Sequence, residues 1–133
     1  ANLKKTGAFT VSMATVDQLA ACDYLGLVSG NQVPDKVARA GFHTEKSSRV
    51  NAPVIAELPM VLECRVKSYD EENERLVGEI LNVSADESIL TDGKIDPAKL
   101  RPLVLDPVNH TYLVAEQAVG KAFAHTKAPG EIK

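Results

Sequence analysis

The sequence predicts a mainly β domain decorated with short helices. Three observations carry that class. Residues 60–69 alternate, with Leu62, Cys64 and Val66 on one face and Glu63, Arg65 and Lys67 on the other. Residues 76–85 return as a second strand, with Val77, Leu81, Val83 and Ala85 on one face. The acidic run Asp70, Glu71, Glu72, Asn73 and Glu74 is the solvated turn of a long antiparallel hairpin. Finally, the helical stretches are short and punctuated by glycine or proline, so sheet dominates.

The elements follow in order. Asn2 to Gly7 reads as a helix end, with Lys4 and Lys5 at the negative dipole end and Gly7 as the left-handed stop. Ala8 to Met13 alternates, which points Phe9, Val11 and Met13 at a core. Thr15, Val16, Asp17 and Gln18 fit a capping box. The helix it opens carries Val16, Leu19, Ala20 and Tyr24 on one stripe and ends near Gly26 or Ser29-Gly30.

A second short helix runs from Val33 to its stop at Gly41. The stretch from Phe42 to Pro59 is irregular, with a short strand near Val54-Ile55. Gly78 inside the second hairpin strand marks a bulge or a close backbone approach. Asp96 and Pro97 are a helix cap and first turn. Leu103, Val104 and Leu105 form a strand fragment, and residues 110–114 form the last strand. Residues 1–125 make one domain, and 126–133 a loose polar tail. Four strands do not close a barrel by themselves, so their edges need cover from further sequence or a second chain.

Composition narrows the function classes. The chain has 133 residues, enough for one domain, and 44% of them are hydrophobic, as in an ordinary globular protein. A net charge of −3 without a basic stripe argues against a nucleic-acid surface. Without an apolar run of the roughly 18–20 residues that span a bilayer, and without a signal-peptide core at the start, a cytoplasmic location away from membrane is expected. Cys22 and Cys64 read as reduced thiols.

Most chemical motifs fail when tested. His43, His110 and His125 lack the spacing of a zinc site, so no metal ligand is expected. Val28-Ser29-Gly30 lacks the glycine that a nucleophile elbow needs two residues before its serine. The carboxylates at Asp70, Glu71, Glu72, Asp86 and Glu87 sit in hydrophilic turns, where acid–base catalysis lacks an enclosed group. No catalytic side chain is singled out. The stretch from Asp23 to Gly30, followed by Asp35-Lys36, has two readings. One is a helix stop and loop. The other is a ligand edge, where Gly30 lets backbone approach closely, Ser29 offers a hydroxyl and Lys36 meets a phosphate.

The run Asn2 to Ser12 resembles the N-x-x-x-x-G-x-F-x-V-N segment of flavin reductase-like proteins, the flavoredoxin group in particular. Asp23 to Gly30 with Asp35-Lys36 resembles that group's D-x-x-G-x-x-S-G…D-K stretch. Asn51-Ala52-Pro53, Leu62-Glu63-Cys64, Gly78-Glu79-Ile80 and Gly120-Lys121-Ala122-Phe123 fall in the family's order. Ser12 and Ala14 stand where the family usually has Asn and Pro.

The resemblance implies an FMN-binding split barrel, a β-barrel with short helices that is incomplete here because the family's domain begins upstream of Ala1. It implies a homodimer with FMN near the subunit interface, and NADH or NADPH as electron donor. The implied cofactor residues are Ser12, Met13, Ala14, Ser29, Gly30, Asp35, Lys36 and Tyr112. Backbone N–H groups of residues 12–14 would face the ring edge. Tyr112 would pack near the ring or serve as an ordinary strand aromatic. The upstream part is implied to hold much of the FMN, its phosphate included. The alternative is therefore a non-catalytic remnant that keeps a dimeric assembly role, with binding of another flat cofactor, a deazaflavin or haem, as a third reading.

Overall fold

A computed structural model describes residues 2–131; Ala1 and the last two residues of the tail lie outside the described residues. The fold is mainly β. Helix α1 (Asn2–Thr6) ends where Gly7 takes φ +62°, and its N–H closes on the Leu3 carbonyl at 3.0 Å. Three antiparallel strands follow as one sheet in the order β1-β4-β5: β1 (Ala8–Ser12), β4 (Met60–Asp70) and β5 (Arg75–Ala85).

Three hairpins complete the strands. They are β2 (Thr44–Lys46) with β3 (Pro53–Ile55), β6 (Leu90–Thr91) with β7 (Lys94–Ile95), and β8 (Leu103–Asp106) with β9 (Thr111–Val114). Helices α2 (Leu19–Leu27), α3 (Lys36–Arg39) and α4 (Pro97–Leu100) are all short. Among the described residues no helix is long and apolar enough to cross a membrane.

Two hairpins share one turn device. Asp70 accepts from the N–H groups of Glu72 and Asn73 and from the Asn73 amide, and Glu74 takes φ 51°. Asp106 does the same with Val108, Asn109 and the Asn109 amide, and His110 takes φ 53°. The shared D-x-x-N-x pattern is an Asx turn followed by a left-handed residue. It explains why Asp70 is bound up in the turn.

The long hairpin departs from strict alternation at two places. Register shifts fall between Glu63 and Cys64 and between Val66 and Ser68. At the first, Leu81 is extra on β5, so the alternation changes phase. Val83 pairs with Leu62, but Ile80, not Leu81, pairs with Cys64. The expected single face of Val77, Leu81, Val83 and Ala85 is therefore broken, because each bulge moves later side chains to the other side. Gly78 sits between these shifts, opposite Val66. A Cβ there would lie 2.4 Å from Phe9 Cζ. What lies closest across this glycine is the ring of Phe9, not the backbone approach expected there.

Glu63 also departs from its expected place beside Arg65 on the outer face. It is 4% exposed. Its carboxylate accepts from the Ser47 hydroxyl at 2.5 Å and from the Asn82 amide at 2.6 Å. Ser47 in turn accepts the N–H groups of Arg49 and Val50, each at 3.0 Å. A charged residue in an alternating strand reads as solvent-facing, and only the loop at residues 47–50 makes it a buried one. The β2–β3 hairpin lies on the same side: Thr10, which pairs with Glu63, donates its hydroxyl to the Pro53 carbonyl. On the opposite face Cys64 is buried, but its neighbours Val11, Ile80 and Val83 are open at 41%, 56% and 47% exposure. Val11 was expected to face a core.

Other expectations are corrected locally. The capping box does not form: Thr15 makes no side-chain cap and instead bridges Pro102, while residues 16–18 form a 3₁₀ turn before α2. Strands β2, β6 and β7 were not expected. The expected cap at Asp96 does form, accepting from the Ala98 N–H at 2.9 Å. Cys22 and Cys64 are both free.

Candidate functional site

The expected ligand residues gather around α2. Its chain enters from β1 through Ser12, Met13 and Ala14 and leaves through Ser29 and Gly30. The nine helical residues between them make α2 about 13 Å long.

At the first end the backbone decides what is available. Val66 N–H bonds the Gly7 carbonyl, and Met13 N–H bonds the Met60 carbonyl. In an antiparallel ladder the intervening residues turn their backbone groups outward. Thr10 and Ser12 therefore present theirs at the open edge of β1. The Met13 N–H is used within the sheet, so donation to a ligand falls to Ser12 and Ala14. The Ala14 carbonyl accepts the Leu103 N–H at 3.0 Å, and the Val16 N–H bonds the Arg101 carbonyl at 3.1 Å. These bonds carry the β8–β9 hairpin against the end of β1.

That hairpin brings Tyr112 to α2. Its hydroxyl donates to the Asp23 carboxylate at 2.8 Å, across 89 positions of sequence. The hydrogen bond to Asp23 is also the main reason the phenol is held above its usual pKa. Tyr112 is thus a protonated ring held in one orientation, with 38% of its surface open.

At the far end, Lys36 reaches back to α2. Its ammonium donates to the Leu25 carbonyl at 2.8 Å and the Val28 carbonyl at 2.7 Å. These are orphan acceptors of a helix C-terminus, where a cation is favoured. Two of its three N–H groups are thereby engaged. A Cβ added at Gly30 would lie 3.9 Å from Lys36 Cε, and Ser29 accepts the Asn31 N–H at 3.3 Å. Asp35 points away to Arg39, whose hydrogen bond holds its carboxyl below the usual range.

The structure therefore brings Ser29, Gly30, Lys36 and Tyr112 to the C-terminal half of α2. It keeps Ser12 and Ala14 at the other end, and gives Asp35 to an exposed ion pair. Asp23 was not expected to matter, and it orients Tyr112. Its only sequence signal was its place at the head of the Asp23-to-Gly30 stretch. A separate polar cleft of about 360 Å³ lies between Asp17, Glu57, Asp86 and Lys99 and contains none of the expected residues. Among the described residues no group of three or more His, Cys, Asp or Glu is placed to hold a metal ion.

The donor set fits the ring end of a flavin: outward N–H groups at a strand edge, an oriented phenol, and a glycine-bearing loop held by a lysine. It supplies little for a phosphate beyond the one remaining N–H of Lys36.

Comparisons with known proteins bear on these residues. The family described as "Flavin reductase like domain" matches residues 1–106. The structure is similar to flavoredoxin of Desulfovibrio vulgaris (Miyazaki F), with a TM-score of 0.86 and 33% identity over 94% of this chain and 68% of that one. It is similar to flavoredoxin from Methanosarcina acetivorans, with a TM-score of 0.81 and 31% identity over 92% of this chain and 65% of that one. An FMN-binding domain of a flavin reductases-like enzyme from Shewanella baltica OS155 shares the fold at 19% identity, with a TM-score of 0.72 over 90% of this chain and 65% of that one. This chain thus spans about two thirds of the length of the structures it matches. No curated protein matches it.

Proposed function

Because this chain belongs to the flavin reductase-like domain family, with the split-barrel fold of its structural relatives, we propose that it is an FMN-binding flavoprotein using NADH or NADPH as electron donor. The observation that carries the reading is the extent of the family match. Residues 1–106 include every expected cofactor residue except Tyr112, and Tyr112 is tied by its hydroxyl to Asp23 inside that range. The family's chemistry is flavin redox chemistry. The choice of FMN, the nicotinamide donor, the homodimer and the cytoplasmic location are our reading. The two free cysteines fit a reducing compartment.

Each residue has a physical task in this reading. The Ser12 and Ala14 N–H groups meet the ring edge, where donors favour the negative charge of the reduced form. Tyr112 packs beside the ring in the orientation that Asp23 fixes. Ser29 and Gly30 form the loop contact, and Lys36 holds that loop while offering its remaining N–H to an anion. When bound, FMN supplies the redox chemistry, accepting hydride from a nicotinamide and passing electrons to an acceptor.

Lys36→Met tests the loop. Two helix-end carbonyls lose their donor, and stability should fall by about 1 kcal/mol. FMN affinity should fall about tenfold. Unchanged affinity in a fluorescence titration would remove Lys36 from the site. For the donor, the reconstituted protein should bleach in its visible flavin bands when NADH or NADPH is added without oxygen. A spectrum that stays unchanged with both excludes a nicotinamide reductase.

One observation favours a second reading, a non-catalytic assembly module. Lys36, the cation bonded to the end of α2, already spends two of its three N–H groups there. A protein that dimerises but leaves FMN fluorescence unquenched would be that module.

A further inference from the structure

The segment after β9 has an unusual surface. Residues 107–130 are all exposed. Within them Val119 is 96% exposed and Phe123 is 103% exposed, so the ring of Phe123 stands wholly in solvent. None of the described residues covers these two side chains, which leaves both available to a partner. The segment is also basic: residues 117–130 hold Lys121, Lys127 and His125 and not one acid.

The tip of the β4–β5 hairpin is its complement. The turn carries Asp70, Glu71, Glu72 and Glu74. Asp70 is occupied by the turn's own N–H groups, and Glu71 pairs with Lys4. Glu72 and Glu74 have no ion pair among the described residues, and neither do Lys121 and Lys127. Beside the turn, Tyr69 and Leu76 are cross-strand partners, and Tyr69 is 43% exposed. Two free acids sit in the turn above an apolar pair on the hairpin, and two free lysines flank a phenylalanine on the arm.

We propose that residues 117–127 are an exchange arm that docks on the β4–β5 hairpin tip of a second copy of this chain. Phe123 packs on Tyr69 and Leu76, and Lys121 and Lys127 meet Glu72 and Glu74. The contact is reciprocal, so two copies related by a two-fold axis make it twice and the assembly closes. This deepens the homodimer reading above and rests on it.

The test is sedimentation equilibrium of the full chain with three variants: Phe123→Ser, Glu72→Lys with Glu74→Lys, and Lys121→Glu with Lys127→Glu. All five positions are exposed, so circular dichroism should be unchanged. Wild type should be a dimer, and each variant should raise the dissociation constant about tenfold or more. Combining the four charge reversals in one chain should restore wild-type association, because the swapped arm meets the swapped hairpin. A monomer at tens of micromolar would overturn the arm and the homodimer together. A dimer insensitive to all three variants would overturn the arm alone. Failure to bind FMN in a protein whose dimer responds as described would overturn the flavin reading and leave the arm standing.

Discussion

Glu63→Ala should lower stability by about 2–3 kcal/mol, because it strips the buried Ser47 hydroxyl of its acceptor and leaves the half-buried Asn82 amide only Ser84. For a domain of this size that is a fall in melting temperature of about 6–12 °C. Two features make the effect large. The carboxylate is buried, at 4% exposure. It also ends a relay, since Ser47 holds the Arg49 and Val50 N–H groups. Loss of Glu63 frees the loop at residues 47–50, and with it Pro53, which Thr10 holds against β1. The strand edge that bears Ser12 then loses its support.

The pH dependence has a definite sign. Hydrogen bonds from Ser47 first, and from Asn82 next, hold the Glu63 carboxyl below its usual value of 4.5. A depressed carboxylate contributes stability that is fully present above its unfolded value and is lost as pH falls below it. Wild type should therefore lose stability below pH 4.5, and Glu63→Gln should show a shallower decline through the same range. Parallel melting curves from pH 6 to about 3 check this. Equal slopes would mean that Glu63 is not ionised in the fold.

Gly78→Ala should also be costly. Its new Cβ would fall 2.4 Å from Phe9 Cζ and 2.7 Å from Cε1. The ring must swing off the sheet, at about 1–3 kcal/mol of overpacking. The damage should be coupled to the ring: in a Phe9→Leu background, Gly78→Ala should cost much less. A double-mutant cycle by urea unfolding measures the coupling, expected at about 1 kcal/mol or more. Strictly additive losses would show that the ring does not cover the glycine.

The long hairpin was legible in the sequence because alternation over two strands leaves a plain signal. Its bulges were not, because a register shift depends on which residues face each other across the pair. Glu63 was misplaced for a related reason: a charge in an alternating strand reads as exposed until a loop is known to cover it. Gly78 was readable as a close approach, but nothing local named Phe9 as the neighbour. Short hairpins fared worst. The β6–β7 turn holds Asp92-Gly93, with φ 52° and 74°, the favoured dipeptide for a two-residue turn. Its strands of two residues show no period of their own.

The site was legible as motifs and illegible as geometry. Ser29, Gly30 and Lys36 are near in sequence and meet in space. That Lys36 would bond two carbonyls of α2 could not be read from its position beside Asp35. Tyr112 finds Asp23 at a separation that a single sequence does not encode. The Met13 N–H was expected at the ring edge, and only the ladder register assigns it to Met60.

Equilibrium titration of FMN with the full chain, followed by flavin fluorescence, tests most directly whether this fold holds a flavin. Quenching that saturates at one FMN per chain is the expected result, with weaker binding in Lys36→Met. Fluorescence that rises in proportion to added FMN, as it does in buffer, would contradict it.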